Sequence, residues 1–406
     1  MAKENFVVGL DVGSTKVAAA CGLIEEGMVN IAGFTKVPND GVRRGVVTDI
    51  ESTVSAISET LEKLETISAN RIRSSVVGIS GPHLTTSISH GVVAVARADG
   101  EITASDVDRV LEAARTVALP PNREIIHVIP RSYTVDGQRD IDDPAGMTGI
   151  RLEVEALVIG GATSAIKNLT KCVYQAGLEI DNLVFAPLAT AQSMLTKKQK
   201  EIGTALLDIG GGTTSLIVFE EGNILHASVL PIGSGHITND LAIGLRTSVE
   251  IAEKIKIKYG SALADKIREA ETIQLSQFDP GEDSRIERKY VSEIIQARLG
   301  EIFALVSGEL KKIGKDGRLP AGVVLTGGGS KLEDLVEATK EELRLPAEIG
   351  RPIFEMTGFV DKLSDPVYAT SVGLLMYGFE HTETSFQGPT NGLFGKAKGF
   401  FKQFLP

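Results

Sequence analysis

Two aspartates close apolar runs and open glycine-rich loops. Phe6-Val7-Val8-Gly9-Leu10 ends at Asp11-Val12-Gly13-Ser14-Thr15-Lys16, and Ala205-Leu206-Leu207 ends at Asp208-Ile209-Gly210-Gly211-Gly212-Thr213-Thr214. Glycines let backbone N–H groups reach phosphate oxygens with no Cβ in the way, while the hydroxyls and Lys16 add donors. An aspartate at each strand end can hold Mg²⁺, usually through water. Two such loops face to face would clamp a triphosphate. A glycine-rich hairpin turn explains either loop alone, but the repetition favours a site. Val323-Val324-Leu325 leads into a third loop, Thr326-Gly327-Gly328-Gly329-Ser330, and a helix-like stretch from Lys331. Such a turn brings backbone close to a flat ligand and offers a helix N-terminus.

Each aspartate loop is followed by a strand-like run and the turn Glu-Glu-Gly, at 25–27 and at 220–222. The repeated unit predicts two related lobes. A chain of 406 residues is also too long for one hydrophobic core. Apolar residues at 42% and charged residues at 23% fit a folded cytosolic protein. A net charge of -11 argues against a nucleic-acid partner. Cys21 and Cys172 lie in apolar stretches and read as buried thiols of a reducing compartment. The six histidines show no metal-ligand spacing. The N-terminus lacks the apolar core of a signal peptide, and no apolar run reaches the ~18 residues of a spanning helix. The expectation is a cytoplasmic protein whose membrane contact, if any, is peripheral.

The C-terminal end supplies such a contact. A polar linker over 380–391 precedes residues 392–406. On a helix, Leu393, Phe394, Ala397, Phe400, Phe401, Phe404 and Leu405 share one face, with Lys396, Lys398 and Lys402 on the rest. This is the pattern of an interfacial helix on anionic lipids. Gly395 and Gly399 weaken its intrinsic helicity, so lipid would order it. A terminal helix packed on its own domain is the alternative.

Residues 81–162 read as an insertion in the first lobe. Asp106 to Val117 is an amphipathic helix, and Ile125 to Gly137 reads as a strand, a break at Pro130 and a second strand.

The order Asp-x-Gly-x-Thr, Asp-x-Gly-Gly-Gly-Thr, Thr-Gly-Gly-Gly-Ser resembles the actin, sugar-kinase and DnaK-type ATPase superfamily. The resemblance implies an α/β, ribonuclease-H-like fold in each of two lobes, with ATP and Mg²⁺ between them. The implied nucleotide residues are Asp11, Gly13, Ser14, Thr15, Lys16, Asp208, Gly210, Gly211, Gly212, Thr213, Thr214, Gly327, Gly328, Gly329 and Ser330, with Asp11 and Asp208 at the metal. Ala252-Glu253-Lys254-Ile255-Lys256 is similar to the helix that contacts ribose and base in bacterial actins, giving Glu253 and Lys256. A mixed-charge surface helix accounts for that stretch equally well. Bacterial actins and DnaK-type proteins carry a Glu before a Pro in the segment after the first lobe, and here Ala186 precedes Pro187. Alanine neither orients nor deprotonates water, so weak or silent ATPase activity is expected.

Within the superfamily, His127-Val128-Ile129-Pro130, Gly146 to Arg151, Val46 to Glu51, Ile79-Ser80-Gly81 and Asp365 to Leu375 closely resemble the FtsA family of cell-division proteins. That family implies a first lobe from 1–80, 163–198 and 358–379, with the insertion at 81–162 as its separate subdomain. It implies a second lobe from 199–240 and 299–357, whose small subdomain is 241–298. The implied function is an ATP-binding scaffold that forms filaments. It would tether FtsZ to the cytoplasmic face of the membrane at the division site and recruit later division proteins through the insertion. Lys289 and Arg298 fall where the family binds the C-terminal peptide of FtsZ, although a solvated charged helix explains the same residues. Two rivals are a small-molecule kinase with Asp208 as base and an actin-like ATPase of pilus assembly. Neither needs the Lys- and Phe-rich end.

Overall fold

The computed structural model describes residues 6–25, 28–116, 120, 122–279, 281, 283–354, 356–358 and 364–383. The expected membrane helix at 392–406 lies outside the described residues.

The first lobe opens with a meander of β1 (Phe6–Val12), β2 (Lys16–Glu25) and β3 (Met28–Pro38). Two short strands, β4 (Val42–Arg43) and β5 (Val46–Val47), flank a turn in which Arg44 and Gly45 both take positive φ. Asp49 then caps α1 (Ile50–Ser68) by accepting from the Ser52 N–H, and β6 (Ser74–Ile79) returns parallel to β1.

The insertion follows as β7 (Leu84–Ala94), α2 (Ala104–Arg115), β8 (Arg123–Val135), β9 (Gln138–Ile141) and β10 (Arg151–Ala162). Its sheet, in the order β7-β10-β8-β9, has its own core around Ile102, Val110, Leu111, Tyr133 and Leu152. The chain re-enters the first lobe as α3 (Thr163–Gln175), β11 (Glu179–Phe185) and α4 (Ala186–Met194).

The second lobe runs through α5 (Lys197–Ile202), β12 (Thr204–Ile209), β13 (Thr214–Glu220) and β14 (Asn223–Leu230). Next come α6 (Ser234–Leu245), α7 (Val249–Tyr259), β15 (Thr272–Gln274), β16 (Arg285–Glu287) and α8 (Arg288–Lys312). It ends with β17 (Val323–Thr326), α9 (Leu335–Leu343) and β18 (Ala347–Ile349). Finally β19 (Met356–Gly358) rejoins the first sheet beside β3, and α10 (Ala369–Glu383) packs on β1 and α4.

The first sheet reads β11-β6-β1-β2-β3-β19 and the second β18-β17-β12-β13-β14. In both, an antiparallel meander carries the aspartate loop at its first hairpin, and two parallel strands extend the sheet on the other side. The duplicated unit seen in the sequence is thus a duplicated topology. Strand alternation divides the second sheet between two cores. Ala205, Leu207, Ile209, Leu216 and Val218 pack on that lobe's own helices, whereas Leu206, Ile217, Phe219 and Val324 join the core of the first lobe.

Local readings differ from the structure at three places. Pro130 does not break its strand: β8 is continuous, and a bulge opposite Glu155/Ala156 absorbs the proline that cannot donate to the ladder. After the third glycine loop comes a 3₁₀ turn over Gly328–Lys331, and α9 starts only at Leu335, behind Asp334 at φ 61. The helix N-terminus expected at the loop therefore stands one turn away. Lastly, α10 continues to Glu383, four residues into the stretch expected to be coil, because His381 is buried and stacks on Tyr377. Cys21 and Cys172 are free and buried, as their apolar surroundings suggested.

Candidate functional site

The two aspartate loops meet. In the first, Gly13 N–H donates to the Lys16 carbonyl at 2.9 Å, and Lys16 Nζ reaches back to Asp11 Oδ2 at 2.9 Å. In the second, Gly210 N–H donates to the Thr213 carbonyl at 2.9 Å, closing the same small turn. A Cβ on Gly211 would come 2.3 Å from Thr15 Cγ2, and one on Gly212 would come 2.5 Å from Ser14 Oγ. These glycines are therefore required for the loops to approach each other, in addition to any approach of a phosphate.

The third loop folds over the end of β12. Gly327, at φ 82, has space for its Cβ only 2.1 Å from Asp208 Oδ1, and Gly329 lies against Ile209. Asp208 thus lies under a roof of backbone, close enough to Asp11 for the two charges to oppose each other. Removal from water pushes its pKa up to about 6, the nearby Asp11 charge pushes the same way, and Lys16 and Thr370 oppose them.

Not every expected residue points into the cleft. The Thr214 hydroxyl is buried and donates to the Ile232 carbonyl at 2.8 Å, and Ser330 Oγ donates to the Gly327 carbonyl at 2.8 Å. Both hydroxyls hold their loops. Glu253 and Lys256 come together on α7, where Lys256 Nζ lies 2.6 Å from Glu253 Oε2, 2.7 Å from Thr238 Oγ1 and 3.3 Å from the Ser234 carbonyl. Ser234 N–H in turn donates to the Gly210 carbonyl at 2.8 Å, which ties this pair to the second loop.

Three contributors escaped the sequence reading. Asn39, almost wholly buried, donates from Nδ2 to the Gly13 carbonyl at 2.8 Å and braces the first loop. The turn Gly233-Ser234-Gly235 starts α6 against the Gly210 and Gly211 carbonyls, and its glycine pair before a helix was the signal available. Thr370 on α10 donates to Asp208 Oδ2 at 3.3 Å, and nothing near it in sequence announces this.

Among the described residues no cluster of three or more His, Cys, Asp or Glu could hold a metal. Two carboxylates under glycine loops suit Mg²⁺, which takes one or two carboxylates and completes its shell with water and phosphate oxygens. A divalent ion would offset both causes that make Asp208 hard to ionise, its burial first and the Asp11 charge second.

On the second lobe, α8 turns Val291, Ile295, Leu299, Ile302 and Val306 inward, and all five are buried. Arg298 forks onto Asp240 at 2.6 and 2.9 Å and also pairs with Glu301. Lys289 has only a loose 3.7 Å contact with the well-exposed Glu269. Arg288 is committed to the fold, bonding the Tyr259 carbonyl, Glu271 and Glu333.

Two lobes of one topology, with an aspartate loop from each sheet meeting in the cleft, define an actin-like nucleotide-binding fold. Solved structures agree on that fold. A PilM–PilN type IV pilus biogenesis complex superposes with a TM-score of 0.67 at 17% identity, over 92% of this chain and 98% of that one. MreB5 of Spiroplasma citri bound to AMPPNP gives 0.58 at 13% identity, over 95% of this chain and 99% of that one. The chain belongs to the FtsA family of cell-division proteins. The family's profile, "Cell division protein FtsA", matches residues 205–373, and "SHS2 domain inserted in FTSA" matches 81–160. FtsA of Pseudomonas aeruginosa is 40% identical over 93% of this chain and 90% of its own, and FtsA of Escherichia coli K12 is 34% identical over 93% and 91%.

Proposed function

We propose that this actin-like cell-division protein binds ATP with Mg²⁺ between its lobes and hydrolyses it slowly. In that state it forms filaments that tether FtsZ to the cytoplasmic face of the membrane at the division site. One observation carries the nucleotide reading: the two aspartate loops meet at Gly211–Thr15 and Gly212–Ser14 with the third glycine loop over Asp208, and Lys16 pairs with Asp11 as the compensating cation. Bound Mg²⁺ would supply the remaining charge and bridge to phosphate oxygens. Glu253 and Lys256 would approach the ribose and base side. The solved MreB5 carries AMPPNP, which supports the same ligand class here. Calorimetry with ATP, with Mg²⁺ and with EDTA, tests this reading, and heat-free titrations in both conditions would end it.

The membrane part of the proposal rests on the apolar face of Leu393, Phe394, Phe400, Phe401, Phe404 and Leu405 and on Lys396, Lys398 and Lys402. Among the described residues no helix is long and apolar enough to cross a membrane, so contact would be interfacial. Removing residues 392–406 is expected to abolish pelleting with anionic liposomes while leaving calorimetric ATP binding intact. Retained pelleting would refute the assignment.

For the FtsZ C-terminal peptide, α6 and α8 offer an apolar strip with a charged end. Exposed Tyr290 lies beside Gly244, exposed Ile243 is next to it, and Arg298 with Asp240 closes the strip. An acidic peptide would compete for Arg298 and meet Lys289. Arg298→Glu should weaken peptide binding at least about tenfold by fluorescence anisotropy, since truncating or reversing one member of an interfacial charge pair costs about that much or more. Tyr290→Ala, which leaves the Arg298 ion pair in place, should weaken it as well. The exposed β7 residues Ile88 and Val92 belong to the inserted subdomain, through which we propose that later division proteins and neighbouring protomers bind.

A further inference from the structure

Helix α10 joins places that the chain otherwise keeps apart. Its first turn lies in the cleft. Thr370, 6% exposed, donates to Asp208 Oδ2 at 3.3 Å and sits 3.0 Å from Thr190 Oγ1 of α4. Thr190 is also 2.9 Å from the Ala186 carbonyl, and its single proton serves one of these partners at a time.

Its last turn lies at a junction of three units. Tyr377 stacks on His381 with ring centroids 3.9 Å apart, and His127 of the inserted subdomain is tilted against Tyr377 at 6.4 Å. His127 Nε2 accepts the Phe185 N–H at 3.0 Å, immediately before Ala186 begins α4. From the second lobe, the buried ammonium of Lys200 lies over the Phe219 ring and is drawn toward the Glu380 carboxylate. The same subdomain touches the second lobe directly, where Thr86 Oγ1 donates to the Ala227 carbonyl at 3.1 Å.

Between these ends the helix cannot slide against its bed. A Cβ on Gly373 would meet the Ala189 carbonyl at 2.1 Å, one on Gly9 would meet the Ser371 carbonyl at 2.3 Å, and one on Gly378 would meet Val7 at 2.4 Å. His381 stands eleven positions after Thr370, about 16 Å along the helix at 1.5 Å per residue. Close backbone packing of this kind moves as a body or not at all.

We propose that Thr370 is a positioning residue for Asp208, and that α10 carries its response to cleft occupancy to the His127–Tyr377–His381 joint from which the C-terminal segment departs. The proposal rests on the reading that the cleft takes a Mg²⁺-nucleotide, and the test separates the two.

The test uses the full chain, calorimetry with ATP in Mg²⁺ or EDTA, and amide hydrogen exchange over 123–135 and 375–383. In the wild type, Mg²⁺-ATP should slow exchange in both segments about tenfold or more. Thr370→Val should weaken Mg²⁺-ATP binding about fivefold or more with little change for ATP in EDTA, and at saturation should lose most of the remote slowing. Thr370→Ser should behave as wild type. Because coupling is reciprocal, Tyr377→Leu at the far end should shift Mg²⁺-ATP affinity by about fivefold, and this variant serves if Thr370→Val does not fold. Undiminished remote slowing in saturated Thr370→Val, or unchanged affinity in folded Tyr377→Leu, overturns the proposal. A wild type that binds no nucleotide removes the underlying reading and this inference with it.

Discussion

Ala186→Glu is expected to raise ATP hydrolysis about a hundredfold or more, since a placed general base contributes about 10²–10⁴ in rate. Ala186 is 6% exposed and starts α4 at the floor of the cleft. A Cβ on Gly78 would stand 3.6 Å from its own Cβ, and Gly78 pairs with Asp11 in the parallel register of β1 and β6. A carboxylate grown from position 186 would therefore project near the Mg²⁺ side of the cleft, where the γ-phosphate and its attacking water belong in the proposed complex. Ala186→Gln supplies an orienting amide without a base, so it should recover only a small part of the gain. Phosphate release at saturating Mg²⁺-ATP measures both. If the Glu variant melts like wild type, binds Mg²⁺-ATP and releases phosphate no faster, then the missing carboxylate is not what limits turnover.

Asp208→Asn should stabilise the nucleotide-free protein at neutral pH and abolish Mg²⁺-dependent binding. Asp208 is held protonated up to about pH 6, against 3.8 ordinarily, because burial and Asp11 both disfavour its charge. At this group the folded state binds more protons than the unfolded one in that window, so the contribution of Asp208 to stability falls as pH rises from about 4 to about 6. The loss is on the order of 3 kcal/mol at most, taking 1.36 kcal/mol per pH unit. The asparagine variant lacks this titration but keeps that of buried His127, whose lowered pKa of about 4 acts in the opposite direction, so the urea midpoint of the variant should gain on that of the wild type steadily as pH rises from about 4 to about 6. Parallel profiles would show that Asp208 is not strained by its neighbours. Binding should move in the opposite direction. Without one of two carboxylates, Mg²⁺-ATP affinity should fall about a hundredfold toward the EDTA value, the scale of losing a charged interaction worth about 3 kcal/mol. One residue would then show stability given up for ligand binding.

Much of the site was legible because its signals are local. Aspartate at a strand end, glycine at the next positions and a hydroxyl behind them occupy a few consecutive residues, and the same sequence that closes the hairpin builds the phosphate cradle. The apolar run at 205–207 and the strand-like run after the second aspartate loop likewise predict strands. They do not say that odd and even positions of β12 serve different cores, since that depends on α4 lying against the second sheet.

What tertiary structure decided is every contact between residues far apart in the chain. Thr370 meets Asp208 across 162 positions, Asn39 meets Gly13 across 26, and Arg298 finds Asp240 across 58. A threonine in a small-residue helix carries no mark of its partner, and an arginine at the edge of an apolar face reads as free until the neighbouring helix brings carboxylates to it. Pro130 and the late start of α9 have the same cause. The bulge in β8 is set by its pairing with β10, and the 3₁₀ turn after β17 by its packing on the end of β12. By itself the sequence determined which residues can do chemistry, through the backbone freedom and charge of each type. The packing of distant segments determined which of them face a ligand, because only packing sets their distances.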